Sequence, residues 1–212
     1  MLTDFYQLTM AYALWKAGRH AVRETFEVYF RKNPFGGEFT VFAGLQEVVR
    51  ILEAFRYGPE DIAYLREVMP EANETPAFFA WLQGLDCRDL TVHAMREGSV
   101  AFPSVPLLRI EGPAALCRLL ETTLLNAVNF PSLVATNAVR HKRVAGEGKS
   151  LVEGGLRRAQ GPDGALSASR YAYLGGVDAT SNLRGGQLFG IPVRGTHAHS
   201  FVTHFGAADL AR

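Results

Sequence analysis

Apolar side chains recur along residues 2–18 at the spacing of a helix. Phe5, Leu8, Tyr12 and Trp15 follow the i, i+3, i+7 rhythm of a stripe turned to a core. Thr3 or Asp4 stands where an N-cap is needed, and Gly18 suits the exit. Tyr6 and Gln7 lie off the stripe, so burial on that face does not account for an aromatic at position 6. From 24 to 32 the period changes to two. Phe26, Val28 and Phe30 share one face and Glu27, Tyr29 and Arg31 the other, which predicts a strand. Asn33-Pro34-Phe35-Gly36-Gly37 breaks it, and 39–42 reads as the return strand.

Helices are expected at 45–55, 59–68 and 76–85, set apart by Gly58-Pro59 and by Pro70. Strands are expected at 91–95, 99–102 and 107–110, punctuated by Gly98, Pro103 and Pro106. After Pro113 a long apolar helix runs to Val128, where Asn129-Phe130-Pro131 should stop it, and a second helix covers 132–145. Beyond Gly155 the texture turns glycine-rich with short strands, and 206–212 reads as the start of another helix. The pattern predicts an α/β protein: an α+β N-terminal domain over 1–112, then a helical connection and the first part of an α/β barrel domain over 113–212. A βα barrel normally needs about 200 residues or more of its own. The barrel is therefore expected to be cut short, its C-terminal half absent.

Charge narrows the function classes. With 22 basic and 21 acidic side chains the net charge is +1, so no global field favours a nucleic acid or a membrane surface. Any anion must be held by a few well-placed groups. The stretch 119–139 is too often interrupted by polar residues to span a bilayer, and no basic n-region follows Met1. Cys87 and Cys117 stand far apart and outside any CxxC spacing, which fits buried thiols in a reducing compartment. A cytosolic location is expected.

Four stretches are candidates for chemistry. Gly148-Lys149-Ser150 lacks the first glycine of a phosphate-binding loop, because Arg143 occupies that position, and it reads as a polar loop. Leu156-Arg157-Arg158-Ala159-Gln160-Gly161-Pro162-Asp163-Gly164 puts two guanidinium groups beside glycines, which suits either an exposed charged turn or a bidentate hold on phosphate or carboxylate. Asp178-Ala179-Thr180-Ser181-Asn182 can cap the next helix or bond a ligand. In Gly195-Thr196-His197-Ala198-His199-Ser200 an extended backbone would place His197 and His199 on one face, as general base, nucleophile or metal ligand.

Taken together these residues resemble a known family. Thr3-Asp4-Phe5-Tyr6-Gln7, Phe30-Arg31-Lys32-Asn33-Pro34-Phe35-Gly36-Gly37, Ser132-Leu133-Val134-Ala135-Thr136-Asn137, the Leu156–Gly164 stretch and Gly195-Thr196-His197-Ala198-His199-Ser200 stand in the order found in nicotinate phosphoribosyltransferases. The resemblance implies the type II phosphoribosyltransferase fold, with an N-terminal domain packed on an irregular barrel. It also implies transfer of phosphoribosyl from 5-phosphoribosyl 1-diphosphate to nicotinate, coupled to ATP hydrolysis, with Mg²⁺ or Mn²⁺ on the phosphates, in a homodimer whose active site lies at the interface. By the same resemblance His199 is the transiently phosphorylated histidine, and Thr196 contacts nicotinate. Tyr6 covers the pyridine ring from the partner subunit, and Arg157 lies near a substrate anion.

The chain departs from the family's pattern in three places. His197 occupies a position that is usually not histidine. Gly154 stands where a bulky apolar residue is common. The half that supplies further phosphate loops and an arginine for the nicotinate carboxylate is absent, so the chain is expected to be a fragment, inactive alone. Two other readings stay open at this point: a metal-dependent hydrolase using His197 and His199, and a non-catalytic fragment that only dimerises. Within the enzyme reading, nicotinamide remains an alternative to nicotinate.

Overall fold

A computed structural model of the chain describes residues 2–209. The chain forms two compact units, Met1–Thr136 and Asn137–Arg212. The first opens with helix α1 (Phe5–Lys16) and continues through β1 (Arg23–Val28), β2 (Thr40–Val41), α2 (Leu45–Ala54), α3 (Pro59–Val68), α4 (Pro76–Gln83), β3 (Thr91–Ala94), β4 (Val100–Ala101) and β5 (Leu108–Pro113). Prolines begin α3 and α4, where the missing N–H costs nothing. Gly58 N donates to Asp61 Oδ2 at 2.8 Å at the start of α3.

The buried arc of α1 is displaced from the expected stripe. Leu8, Ala11 and Tyr12 are buried, but Phe5 is 52% exposed and Gln7 is fully covered. The arc turns its Gln7–Leu8 side inward, which leaves Phe5 and Tyr6 outside it. Gln7, on the flank of the arc, donates from Nε2 to Thr122 Oγ1 at 3.5 Å. Asp4 occupies the N-cap position, but its carboxylate accepts from Thr122 Oγ1 at 2.9 Å and makes no cap bond.

The alternation over β1 survives intact, but its partner differs from the expected one. The main sheet is antiparallel in the order β1-β5-β3, with Phe26 opposite Ile110 and Val28 opposite Leu108. β2 does not return along β1; it pairs with β4. Its other edge is taken by the long helix α5 (Ala114–Ala145): Val41 N donates to Thr136 Oγ1 at 2.8 Å, and Ala43 N to Ser132 Oγ at 3.1 Å. With both edges engaged, β2 has nothing left to offer β1.

The expected break at 129–131 does not occur, and α5 carries Pro131 inside it. Proline removes the amide that would bond the carbonyl four residues back, that of Ala127. Gly44 packs against that carbonyl so closely that a Cβ there would lie 2.1 Å from the Ala127 oxygen. One turn later Ser132 Oγ also donates to Ala43 O at 3.2 Å. The 41–44 segment thus packs against the helix at the turn where the proline removes a hydrogen bond.

Within the first unit α5 separates two cores. Leu116, Leu120 and Leu124 pack with Val28, Phe42, Leu108 and Ile110 from the sheet side. Ala115 and Leu119 pack with Leu8, Tyr12, Leu65, Phe78 and Leu82 from the helical layer. Cys117 is buried and Cys87 partly so. Burial, then the neighbouring Asp86, pushes the Cys87 thiol up to about 12. Burial, then Glu24, pushes Cys117 up to about 11. Alkylation by iodoacetamide at pH 8 is therefore expected to run about 100-fold or more below that of an exposed thiol, because the thiolate is the nucleophile. Rapid labelling of either residue in the folded chain contradicts the packing described.

In the second unit β6 (Val152–Glu153), α6 (Gly161–Leu174), β7 (Ala179–Thr180), α7 (Leu183–Phe189) and α8 (His199–Asp209) follow in order. β6 and β7 are parallel, and Thr180 bridges in parallel to Val193. α6 is longer than the glycine-rich texture suggests, since Gly161-Pro162-Asp163-Gly164 also forms its first turn. Asn182 caps α7 by accepting from Gly185 N at 3.2 Å, one of the two roles the sequence allows. The helix expected at 206–212 begins earlier, at His199, and positions 210–212 lie outside the described residues. Among the described residues no helix is long and apolar enough to cross a membrane.

Candidate functional site

The second unit brings three parallel segments, β6, β7 and 192–194, to a common end. Thr180 N donates to Pro192 O and Arg194 N to Thr180 O, both at 3.0 Å, and Ser181 N donates to Glu153 O at 2.8 Å. Ligands of parallel α/β sheets sit beyond the carboxyl ends of the strands. There the chain leaves a pocket of about 580 Å³, lined by Gly154, Leu156 and Arg157 after β6, by Ser181 after β7, and by 194–198 after the third segment.

Charge sets what this pocket accepts. Arg157 stands exposed on a single turn, Leu156–Arg158, closed by Arg158 N donating to Gly155 O at 2.8 Å. Arg194 enters from the opposite segment, its Nη1 donating to Ser150 Oγ at 3.2 Å. Among the described residues no carboxylate lines the pocket. Two guanidinium groups, hydroxyls of Ser181 and Thr196 and a glycine-lined wall suit an anion of phosphate type.

A polar network lies beneath. Glu153 Oε1 accepts from Gly155 N, and its Oε2 accepts from Ser169 Oγ at 2.9 Å and from Thr180 Oγ1 at 2.7 Å. Asn182 Nδ2 donates to Ser169 Oγ at 3.1 Å, and Asn182 N to Thr180 Oγ1 at 3.0 Å. Ser169, Thr180 and Asn182 are buried. Nearby, Lys142 Nζ at 2.6 Å and the Leu151 amide at 2.7 Å hold the Asp178 carboxyl below the usual carboxylate range.

The residues singled out from the sequence are only partly gathered. Arg157, Thr196 and His197 line the pocket. His199 does not: it opens α8, exposed, one residue beyond Ala198 of the lining. The extended face shared by His197 and His199 is therefore not formed. Residues 195–198 are irregular, and Ala198 O accepts from Phe201 N at 3.0 Å as the helix starts. The Phe201 and Phe205 rings, 5.0 Å apart, continue the helical period. Tyr6 belongs to the first unit, on α1, and is 50% exposed. Ser181, one of the polar residues of the 178–182 stretch, lines the pocket in the ligand-bonding role that the sequence allows, whereas Arg194 and Glu153 give no signal in the sequence. Glu153 ends a strand of two residues and Arg194 adjoins a single bridge at Val193, too short for a period to be seen.

Among the described residues no three His, Cys, Asp or Glu side chains come together as a metal site. With the shared histidine face also missing, the hydrolase reading has no donor set to stand on.

The fold and the pocket define an α/β chain that presents guanidinium and hydroxyl groups at the carboxyl ends of parallel strands. Residues 1–129 match the nicotinate phosphoribosyltransferase N-terminal domain, and the chain belongs to the nicotinate phosphoribosyltransferase family. It is 60% identical over 209 residues to nicotinate phosphoribosyltransferase 2 of Arabidopsis thaliana, covering 99% of this chain and 37% of that protein. It is 54% identical over 210 residues to the Homo sapiens enzyme, covering 99% of this chain and 39% of the relative. The crystal structure of human nicotinic acid phosphoribosyltransferase superposes with a TM-score of 0.89 at 55% identity, over 96% of this chain and 41% of that one. Nicotinate-nucleotide pyrophosphorylase from Pyrococcus furiosus gives 0.75 at 25% identity, over 97% and 43%. The type II phosphoribosyltransferase fold expected for the N-terminal part is thus the observed one.

Proposed function

We propose that this chain carries part of the site that transfers phosphoribosyl from 5-phosphoribosyl 1-diphosphate to nicotinate, giving nicotinate mononucleotide and diphosphate for NAD biosynthesis. The observation that carries the reading is the convergence of Arg157, Arg194, Ser181 and Thr196 on one pocket at the strand ends. The guanidinium groups oppose the charge of the phosphates, and Thr196 bonds the pyridine substrate. Bond exchange at the ribose carbon needs little covalent help from protein groups, so holding the reactants in line is the main source of acceleration.

ATP enters as a co-substrate whose γ-phosphoryl group passes to an imidazole nitrogen of His199, with ADP leaving; water later releases phosphate. Exposure at the start of α8, beside the pocket lining, leaves the imidazole accessible to it. Among the described residues no three His, Cys, Asp or Glu side chains come together to hold Mg²⁺ or Mn²⁺. The cation belongs with the substrate phosphates. A cytosolic homodimer with Tyr6 laid on the partner's pyridine completes the proposal.

Product analysis tests it. The full-length protein containing this chain, given nicotinate, ATP, Mg²⁺ and 5-phosphoribosyl 1-diphosphate, should form nicotinate mononucleotide, and should do so far less with nicotinamide. No product with nicotinate, or preference for nicotinamide, contradicts the reading. For Tyr6, loss of ring stacking is worth about 1 kcal/mol or more. Tyr6→Ala should raise the nicotinate KM several-fold and leave thermal stability unchanged, as its exposure implies. An unchanged KM with lowered stability returns Tyr6 to a packing role.

A further inference from the structure

We propose that Glu153 is a positioning residue of this site, its carboxylate locking together the two chain segments that carry Arg157 and Ser181. The inference rests on the phosphoribosyl-transfer reading of the pocket. Glu153 does not itself line the pocket. It sits at the carboxyl end of β6, half-buried, and acts on both lining segments at once. Toward the first, Oε1 accepts from Gly155 N, at the base of the turn that presents Leu156 and Arg157. Toward the second, Oε2 accepts from Thr180 Oγ1 at 2.7 Å, and the Glu153 carbonyl accepts from Ser181 N at 2.8 Å.

The surroundings require a carboxylate in particular. Three donors converge on its two oxygens: the Gly155 amide and the hydroxyls of Ser169 and Thr180. Both hydroxyl oxygens accept hydrogen bonds from Asn182, through Nδ2 and the backbone amide, which turns their protons outward; the shortest acceptor for each is Glu153 Oε2, with Ala165 O at 3.0 Å the alternative for Ser169 and Ser169 Oγ at 3.4 Å that for Thr180. A glutamine would turn an NH₂ group either against the Gly155 N–H or toward the two hydroxyls, which would then have to give up their bonds to this position. An aspartate is one methylene short of spanning both sets. The close approach also depends on glycine at 155, where a Cβ would already lie 3.0 Å from Glu153 Oε1. Arg157 is exposed and free to wander if its turn is not held, so a fixed Arg157 is an acquired property of this network.

Hydrogen exchange and kinetics together test the proposal. In the chain described here, Glu153→Gln and Glu153→Ala should speed exchange of the amides at 155–158 about tenfold or more, while amides of α5 before 136 stay unchanged. Glu147→Gln, in the exposed loop after α5, should change neither. In the full-length enzyme, Glu153→Ala should raise the KM for 5-phosphoribosyl 1-diphosphate about tenfold. Adding Glu153→Ala to Arg157→Ala should cost little more, since one acts through the other. Unchanged exchange at 155–158 overturns the positioning role by itself, whatever the pocket does. Faster exchange there with an unchanged KM overturns it as well, by showing that the held turn is not used. A wild-type enzyme that makes no nicotinate mononucleotide overturns the reading of the pocket, and the inference with it, even where exchange responds as expected.

Discussion

Replacement of His199 by alanine should bring ATP consumption to background while leaving a slow, ATP-independent formation of nicotinate mononucleotide. The reasoning starts from position. His199 is exposed at the first turn of α8, next to the lining but not part of it. A group so placed can accept a phosphoryl group without contacting the ribosyl carbon. The added charge then acts on binding by ordering neighbouring groups, not on bond exchange. The loss of coupled rate should therefore lie within the range of a coupling between two sites, about 5- to 150-fold. His199→Asn should behave as His199→Ala does, because neither carries a nucleophilic nitrogen. His197→Ala should be milder: its ring lines the pocket and lies 6.1 Å from that of Phe201, a packing role with no phosphoryl chemistry required. Steady-state assays of ADP and product formation check all three variants. Full coupling in His199→Ala contradicts the assignment.

Gly44→Ala should be the most damaging small substitution in the first unit. The backbone there has φ +104°, which L side chains rarely adopt, and a Cβ would lie 2.1 Å from the Ala127 carbonyl oxygen and 3.1 Å from Val128 Cα. Those are backbone atoms of a buried helix and cannot swing aside. They also belong to the turn that Pro131 deprives of a hydrogen bond. Moving the 43–45 segment away would strain the bonds from Gly44 N and Leu45 N to Glu97 Oε1, at 2.6 and 3.1 Å. A loss of roughly 4 kcal/mol or more is expected, in the range reserved for backbone strain combined with overpacking. Gly36→Ala is the control: its φ of +61° is equally unusual, yet nothing lies within 4 Å of the added methyl. It should cost only about 1 kcal/mol. Urea midpoints compare the two, and similar losses contradict the close approach of Gly44 to α5.

What could be read from the chain beforehand follows the length of each element. The 26-28-30 alternation and the helices beginning at 45, 59 and 76 repeat their period several times, and they stand as expected. Pairing was not legible: β2 pairs with β4 because Ser132 and Thr136, distant in sequence, occupy its other edge. Pro131 signals a break locally, and only tertiary contacts make a continuous helix tolerable there. In the second unit β6 and β7 are two residues each, below any period, so Glu153 gives no signal, and Ser181 is legible only as part of the polar 178–182 stretch. Of the pocket residues, Arg157, Ser181 and His197 were legible from residue chemistry beside glycines or at strand ends, and Thr196's role came from motif order. The extended pattern of 195–200 gives way because α8 begins at His199, its helical period carried by Phe201 and Phe205 further along the chain.

Transfer of label from γ-labelled ATP tests the central claim most directly. The full-length protein should acquire an acid-labile, alkali-stable phosphoryl group, as expected of a phosphohistidine. Peptide mapping should place it on His199, at the start of α8 and beside the pocket formed by Arg157, Ser181, Arg194 and Thr196. The label should turn over faster when nicotinate and 5-phosphoribosyl 1-diphosphate are added. Label that survives His199→Ala and vanishes in His197→Ala, or a wild-type protein that takes up none, contradicts the account.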